Sequence, residues 1–124
     1  MRVLAGGVRL YFEVFGQEWA VTIDGIERRQ FVVALHGGPG LDGTAQRPYL
    51  APMATYAQII VPDQRGHGRS DYGEPRSWNL DTWARDVADL CSALEIQRPF
   101  VLGSSFGGFV AQRYAAPACR PHFG

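Results

Sequence analysis

The 124-residue chain has no lysine: all 12 of its basic residues are arginine. A GC-rich coding sequence explains that bias more simply than an arginine-specific binding role. Neither sign of charge is in excess, because 12 acidic residues balance the arginines. The composition therefore offers no electrostatic footprint for nucleic acid or for a membrane surface. Cysteine is scarce. Cys91 and Cys119 are too few for a disulfide framework or a zinc site, and Cys91 falls in a helical apolar pattern that reads as small buried hydrophobe. No apolar run approaches the ~20 residues of a membrane span. Met1 to Leu10 holds two arginines and the pair Gly6-Gly7, but no apolar core of signal-peptide length. Repeats, low-complexity segments and linkers are also missing. These absences leave one compact domain, expected to be soluble and cytoplasmic, as the starting expectation.

What is present alternates between buried strands and helices. Val8 to Val14 mixes β-branched and aromatic residues and ends at Gly16, as a first strand does. Glu18 to Ile23 reads as a second strand, closed by the turn pair Asp24-Gly25. Together these two are expected to form an N-terminal antiparallel hairpin. Gln30 to Leu35, Gln58 to Pro62 and Phe100 to Leu102 are short, continuous apolar runs, the pattern of strands buried on both faces. Between the last two, Leu80, Trp83, Ala84, Val87, Leu90 and Leu94 fall at helical spacing, with Asn79 as a suitable N-cap and Asp81 in the first turn. Phe106 to Ala116 reads as another helix, stopped by Pro117. Strands alternating with helices imply an α/β fold with a mainly parallel sheet.

Gly103-Ser104-Ser105-Phe106-Gly107 follows the third buried run and opens the last helix. A G-x-S-x-G pattern in a strand–turn–helix context predicts a nucleophile elbow with Ser105 as nucleophile. His36-Gly37-Gly38-Pro39-Gly40 closes the first buried run. On its own this loop reads equally well as a plain turn. Paired with an elbow it reads better as an oxyanion loop, since acyl transfer needs two donors and the elbow supplies one. Asp63-Gln64-Arg65-Gly66-His67-Gly68-Arg69-Ser70 follows the second run, and its glycine-spaced polar residues favour a hydrogen-bonded scaffold over catalysis.

These three motifs, in this order and spacing, resemble the α/β-hydrolases of the prolyl aminopeptidase (proline iminopeptidase) type. Gly7 to Gly16 resembles that family's first strand, and the likeness runs to about Ala116. It implies Ser105 as nucleophile, the amides of Gly38 and Phe106 as oxyanion donors, and His36 as a loop-shaping residue rather than the catalytic base. It also implies a small-molecule or peptide substrate with an amide or ester bond, and no metal or organic cofactor. Many members carry tryptophan where this chain has Phe106 and serine where it has His67. A serine nucleophile argues against the dehalogenase and epoxide hydrolase branches, which use aspartate there.

In this fold the triad partners follow the nucleophile, yet no acidic residue and only one histidine, His122, lie after Ser105. Nothing preorganises His122, so it is not expected to act as the base. The family's sheet continues beyond the strand carrying Ser105, so Phe100 to Leu102 is expected to form an unprotected apolar edge. Residues 1–116 therefore read as the N-terminal part of a hydrolase domain, and 117–124 as an atypical tail. Reading the codons of Pro117 and Ala118 one base later permits the Arg-His of related proteins, which points to a shifted frame. Two functions follow: a serine hydrolase represented by an incomplete chain and inactive alone, or a non-catalytic hydrolase fold that binds a small molecule or a partner.

Overall fold

The computed structural model describes residues 1–116. Strands β1 (Arg2–Ala5) and β2 (Val8–Phe15) form an antiparallel hairpin around Gly6 and Gly7. The far half of β2 pairs antiparallel with β6 (Ala57–Pro62), which runs parallel to β5 (Gln30–Leu35). β7 (Phe100–Gly103) adds in parallel on the other side of β5, completing a five-stranded sheet of order β1-β2-β6-β5-β7. β3 (Trp19–Thr22) and β4 (Gly25–Arg28) form a separate two-stranded ribbon. The helices are α1 (Arg47–Leu50), α2 (Leu80–Ala93) and α3 (Phe106–Ala115), with short 3₁₀ turns flanking α1.

The N-terminal hairpin is thus present, but its strands differ from those the sequence suggests. β2 directs its ladder bonds to β1 and β6, so the segment after Gly16 pairs with residues beyond the Asp24-Gly25 turn. Thr22 helps close that turn, its Oγ1 donating to the Gly25 carbonyl at 3.2 Å and accepting from the Asp24 amide.

β5 is buried on both faces, as its unbroken apolar run requires. Phe31, Val33 and Leu35 face Val87, Leu90 and Cys91 of α2 and Val110 of α3. Val32 and Ala34 face the opposite way, toward Leu50, Ala54, Ile59 and Val61. α2 begins where Asn79 Oδ1 accepts from the Thr82 amide at 2.9 Å, and its stripe buries Val87 and Leu90 while Trp83 stays half-buried. β7 departs from the expectation of burial on both faces. It bonds to β5 alone among the described residues, and Phe100 and Leu102 remain 62% and 42% exposed. The apolar edge expected at this strand is there. The tail, residues 117–124, lies outside the described residues. No helix among the described residues is long and apolar enough to cross a membrane.

One buried ion pair ties these layers together. Arg65 donates from Nε and Nη2 to the two carboxylate oxygens of Asp86 on α2, at 2.8 and 2.7 Å, and from Nη2 to the Gly6 carbonyl at 2.8 Å. Burial raises the Asp86 carboxyl above its usual range, while the Arg65 guanidinium pulls it back down. Removing one partner of such a pair leaves an uncompensated buried charge. Asp86→Ala is expected to cost about 3–5 kcal/mol in urea unfolding, and Asp86→Leu with Arg65→Met to recover most of it. A loss under about 1 kcal/mol from the single substitution would mean that water already reaches Arg65.

Candidate active site

Ser105 sits between the end of β7 and the start of α3 with φ +51° and ψ −118°, a left-handed conformation rare for a residue with a side chain. The turn holds it there through short bonds: the Ser104 amide donates to the Leu35 carbonyl at 3.1 Å, and the Gly107 and Gly108 amides donate to Ser104 and Ser105 carbonyls at 2.9 and 2.8 Å. The bend is so sharp that a Cβ on Gly103 would collide with the Gly107 carbonyl. One on Gly107 would collide with the Leu35 carbonyl and lie 2.6 Å from that of His36. These are the two glycines of the G-x-S-x-G pattern, and close approach is the reason for both.

The loop after β5 reaches the same point. A Cβ on Gly37 would lie 3.4 Å from Ser105 Cβ and 3.4 Å from the Ser104 carbonyl oxygen, so the Gly37-Gly38 segment lies against the nucleophile candidate. Gly38 has φ +135°, and the Gly38–Pro39 peptide is cis. Neither the Gly38 amide nor the Phe106 amide has a hydrogen-bond partner among the described residues. Phe106 opens α3, where helix N–H groups lack internal acceptors and the dipole is positive. Its ring packs edge-on to Trp83, with centroids 4.8 Å apart, and stacks on His67 at 6.0 Å. The two positions that depart from the usual peptidase pattern, Phe106 and His67, are thus in contact.

Both described histidines bind backbone. His36 is fully buried; its Nε2 accepts from the Gln64 amide at 3.0 Å, which leaves Nδ1 protonated to donate to the Gly37 carbonyl at 2.7 Å. Burial lowers the His36 pKa, and the neighbouring His67 lowers it further; the Gly37 carbonyl, Asp63 and Asp42 oppose them. The ring is therefore neutral and fully engaged in shaping the loop. His67 Nδ1 lies 2.9 Å from the Arg65 carbonyl. Asp63 is completely buried and accepts from the Gly43 amide and from the Arg69 amide and Nε. The segment 63–70 is thus a hydrogen-bonded scaffold. Burial pushes the Cys91 thiol up to about 12, so it offers no competing nucleophile. Among the described residues no three His, Cys, Asp or Glu side chains gather as metal ligands. His122 lies outside the described residues.

A parallel sheet with an antiparallel start, a strained serine at a strand–helix turn and a glycine loop against it define a class. The model of the alpha/beta hydrolase fold family matches residues 30–122, and the chain belongs to that family. It is 35% identical over 107 residues to the proline iminopeptidase PfmaB of Pestalotiopsis fici, a match covering 85% of this chain and 38% of that protein. It is 32% identical over 114 residues to a proline iminopeptidase of Clostridioides difficile, covering 88% of this chain and 35% of the other. The crystal structure of a meta-cleavage product hydrolase from Pseudomonas fluorescens superposes with a TM-score of 0.79 at 28% identity, over 93% of this chain and 39% of that one. The chain spans less than two fifths of the length of each of these relatives.

Proposed function

We propose that residues 1–116 carry the nucleophile and oxyanion half of a serine hydrolase site that cleaves an amide, peptide or ester bond, of the proline iminopeptidase-like kind. The observation that carries this reading is the left-handed Ser105 held at the strand–helix turn against Gly37. In the reaction, Ser105 Oγ attacks the substrate carbonyl as a base takes its proton. The Gly38 and Phe106 amides hold the oxygen as it becomes negative. The substrate C–N or C–O bond then breaks, the amine or alcohol leaving with the proton the base returns, and water hydrolyses the acyl ester on Ser105 to free the acid and the serine. His36 is bonded through both ring nitrogens and so is not free to be that base, and His67 is buried, its Nδ1 on the Arg65 carbonyl and its ring stacked on Phe106. A second reading, a non-catalytic binder on the same fold, is favoured by that same engagement.

General-base assistance is worth about 10²–10⁴-fold. The purified 124-residue chain is therefore expected to hydrolyse proline arylamides and simple esters no faster than its Ser105→Ala variant. Added imidazole supplies a base from solution. With it, a fluorophosphonate probe is expected to label Ser105 in the wild-type chain and to leave the alanine variant unlabelled. Absence of labelling with imidazole would favour the binder. Turnover dependent on Ser105 without imidazole would show that His122 or a second chain completes the site.

A further inference from the structure

The loop between β5 and the 3₁₀ turn at Gly43–Gln46 is held at both ends by the two residues that follow β6, Asp63 and Gln64. At its start, Gln64 grips His36 twice. The Gln64 amide donates to His36 Nε2 at 3.0 Å, and Gln64 Nε2 donates to the His36 carbonyl at 2.9 Å. At its far end, the Gly43 amide donates to Asp63 Oδ1 at 2.9 Å. Asp63 is itself fixed. Its Oδ2 takes the Arg69 amide at 2.9 Å, its carbonyl takes the Ser70 hydroxyl at 2.5 Å, and its amide donates to the Tyr11 carbonyl at 2.9 Å.

We infer that Asp63 and Gln64 are positioning residues for the oxyanion loop 36–43, pinning its two ends to the segment that follows β6, with the His36 ring as the acceptor that closes one pin. The inference rests on the proposed role of that loop. Asp63 must be a carboxylate, because its two oxygens receive N–H donors on opposite sides. The isosteric amide turns one oxygen into a donor, which then faces either the Gly43 or the Arg69 N–H. His36 must be neutral, because a proton on Nε2 would oppose the Gln64 amide. The groups that face His36 are His67, Asp63, Asp42 and the Gly37 carbonyl, and burial outweighs those that favour the charged ring. The unfolded ring titrates near 6.5 and the folded ring lower, so the pin is whole above about 6.5 and is lost as pH falls through the folded value.

Hydrogen-exchange protection factors, measured along the full 124-residue chain, test this directly. In Asp63→Asn, protection of the Gly43 amide is expected to fall about tenfold or more, the loss expected for one hydrogen bond to a charged group, while α2 keeps its protection. In the wild type, the Gln64 amide, which donates to the His36 ring, is expected to keep its protection above about pH 6.5 and to lose it as the pH falls below that and His36 takes its proton. In His36→Phe that pH response is expected to vanish. Equal losses in the loop and in α2 would overturn the inference, because they would report general stability alone. So would a wild-type Gln64 amide indifferent to acid. The wild-type titration needs no substitution and decides the matter even if Asp63→Asn fails to fold. Exchange needs no catalysis, so failure of imidazole-assisted labelling would remove the proposed function and leave the clamp standing.

Discussion

Gly107→Ala is expected to abolish cooperative folding, while Gly108→Ala, one residue along the same helix, is expected to be tolerated. A Cβ on Gly107 would strike the Leu35 carbonyl and approach the His36 carbonyl to 2.6 Å. Both oxygens belong to backbone held elsewhere, Leu35 by the Ser104 amide and Gln46 Nε2, His36 by Gln64 Nε2. No side-chain rotation can relieve the contact, so either β5 or α3 must shift. Overpacking of this kind costs about 1–3 kcal/mol where side chains can yield, and more where backbone must. The whole stability of a small domain is only about 5–15 kcal/mol. A Cβ on Gly108 meets nothing closer than 3.6 Å, and alanine there removes glycine's helix penalty of about 0.5–1 kcal/mol. Thermal melts of the two variants give the comparison, and a Gly107→Ala chain as stable as Gly108→Ala would refute the tight turn.

Val87→Asp is expected to leave no soluble folded chain. Val87 is 4% exposed on the inner face of α2, packed with Leu10, Leu35 and Leu90 in the larger core cluster. An aspartate there would have no counter-ion. The nearest buried cation, Arg65, already gives two hydrogen bonds to Asp86 and one to the Gly6 carbonyl. Burying an unpaired carboxylate costs several kcal/mol even after relaxation, enough to consume the stability of a domain this size. Val87→Leu, which keeps the apolar character and adds one methylene, should cost far less. Soluble expression of Val87→Asp with a cooperative denaturant transition would count against the assignment of α2 to the core.

Much of this architecture was legible because one local signal sufficed for each element. β5 and β6 declare themselves by unbroken apolar runs, and α2 by a stripe with an Asn79 cap. β1 and β4 do not. Arg2–Ala5 is only four residues long, and Gly25–Arg28 is exposed throughout, so neither shows a face. Partner choice is also invisible locally: Glu18 to Ile23 looks like a mate for β2 until β1 and β6 are seen to occupy it. The Arg65–Asp86 pair spans two elements, yet one clue was available. Asp86 lies beside Val87 on the face that buries Ala84, Leu90 and Cys91, where a charge needs a partner.

At the site, the glycine pattern marks the strand–helix turn at which Ser105 has φ +51°. The engagement of His36 was legible only as a vague shaping role, because which nitrogen meets which amide depends on β6 lying alongside. The contact between Phe106 and His67 could not be read at all. The two are 39 positions apart, joined only once α3 packs beside the segment that follows β6.

The Leu35 carbonyl carries a consequence for motion. It accepts from Ser104 on one side and from Gln46 on the other, filling both lone pairs, and Gly107 is packed directly against it. The residue after it begins the loop that meets Ser105. The Ser105 turn and the glycine loop therefore share one origin, the last peptide group of β5. When the sheet breathes, both are carried together. Their spacing is kept by a short local path rather than by the rigidity of the whole chain, as in two jaws cut from a single block.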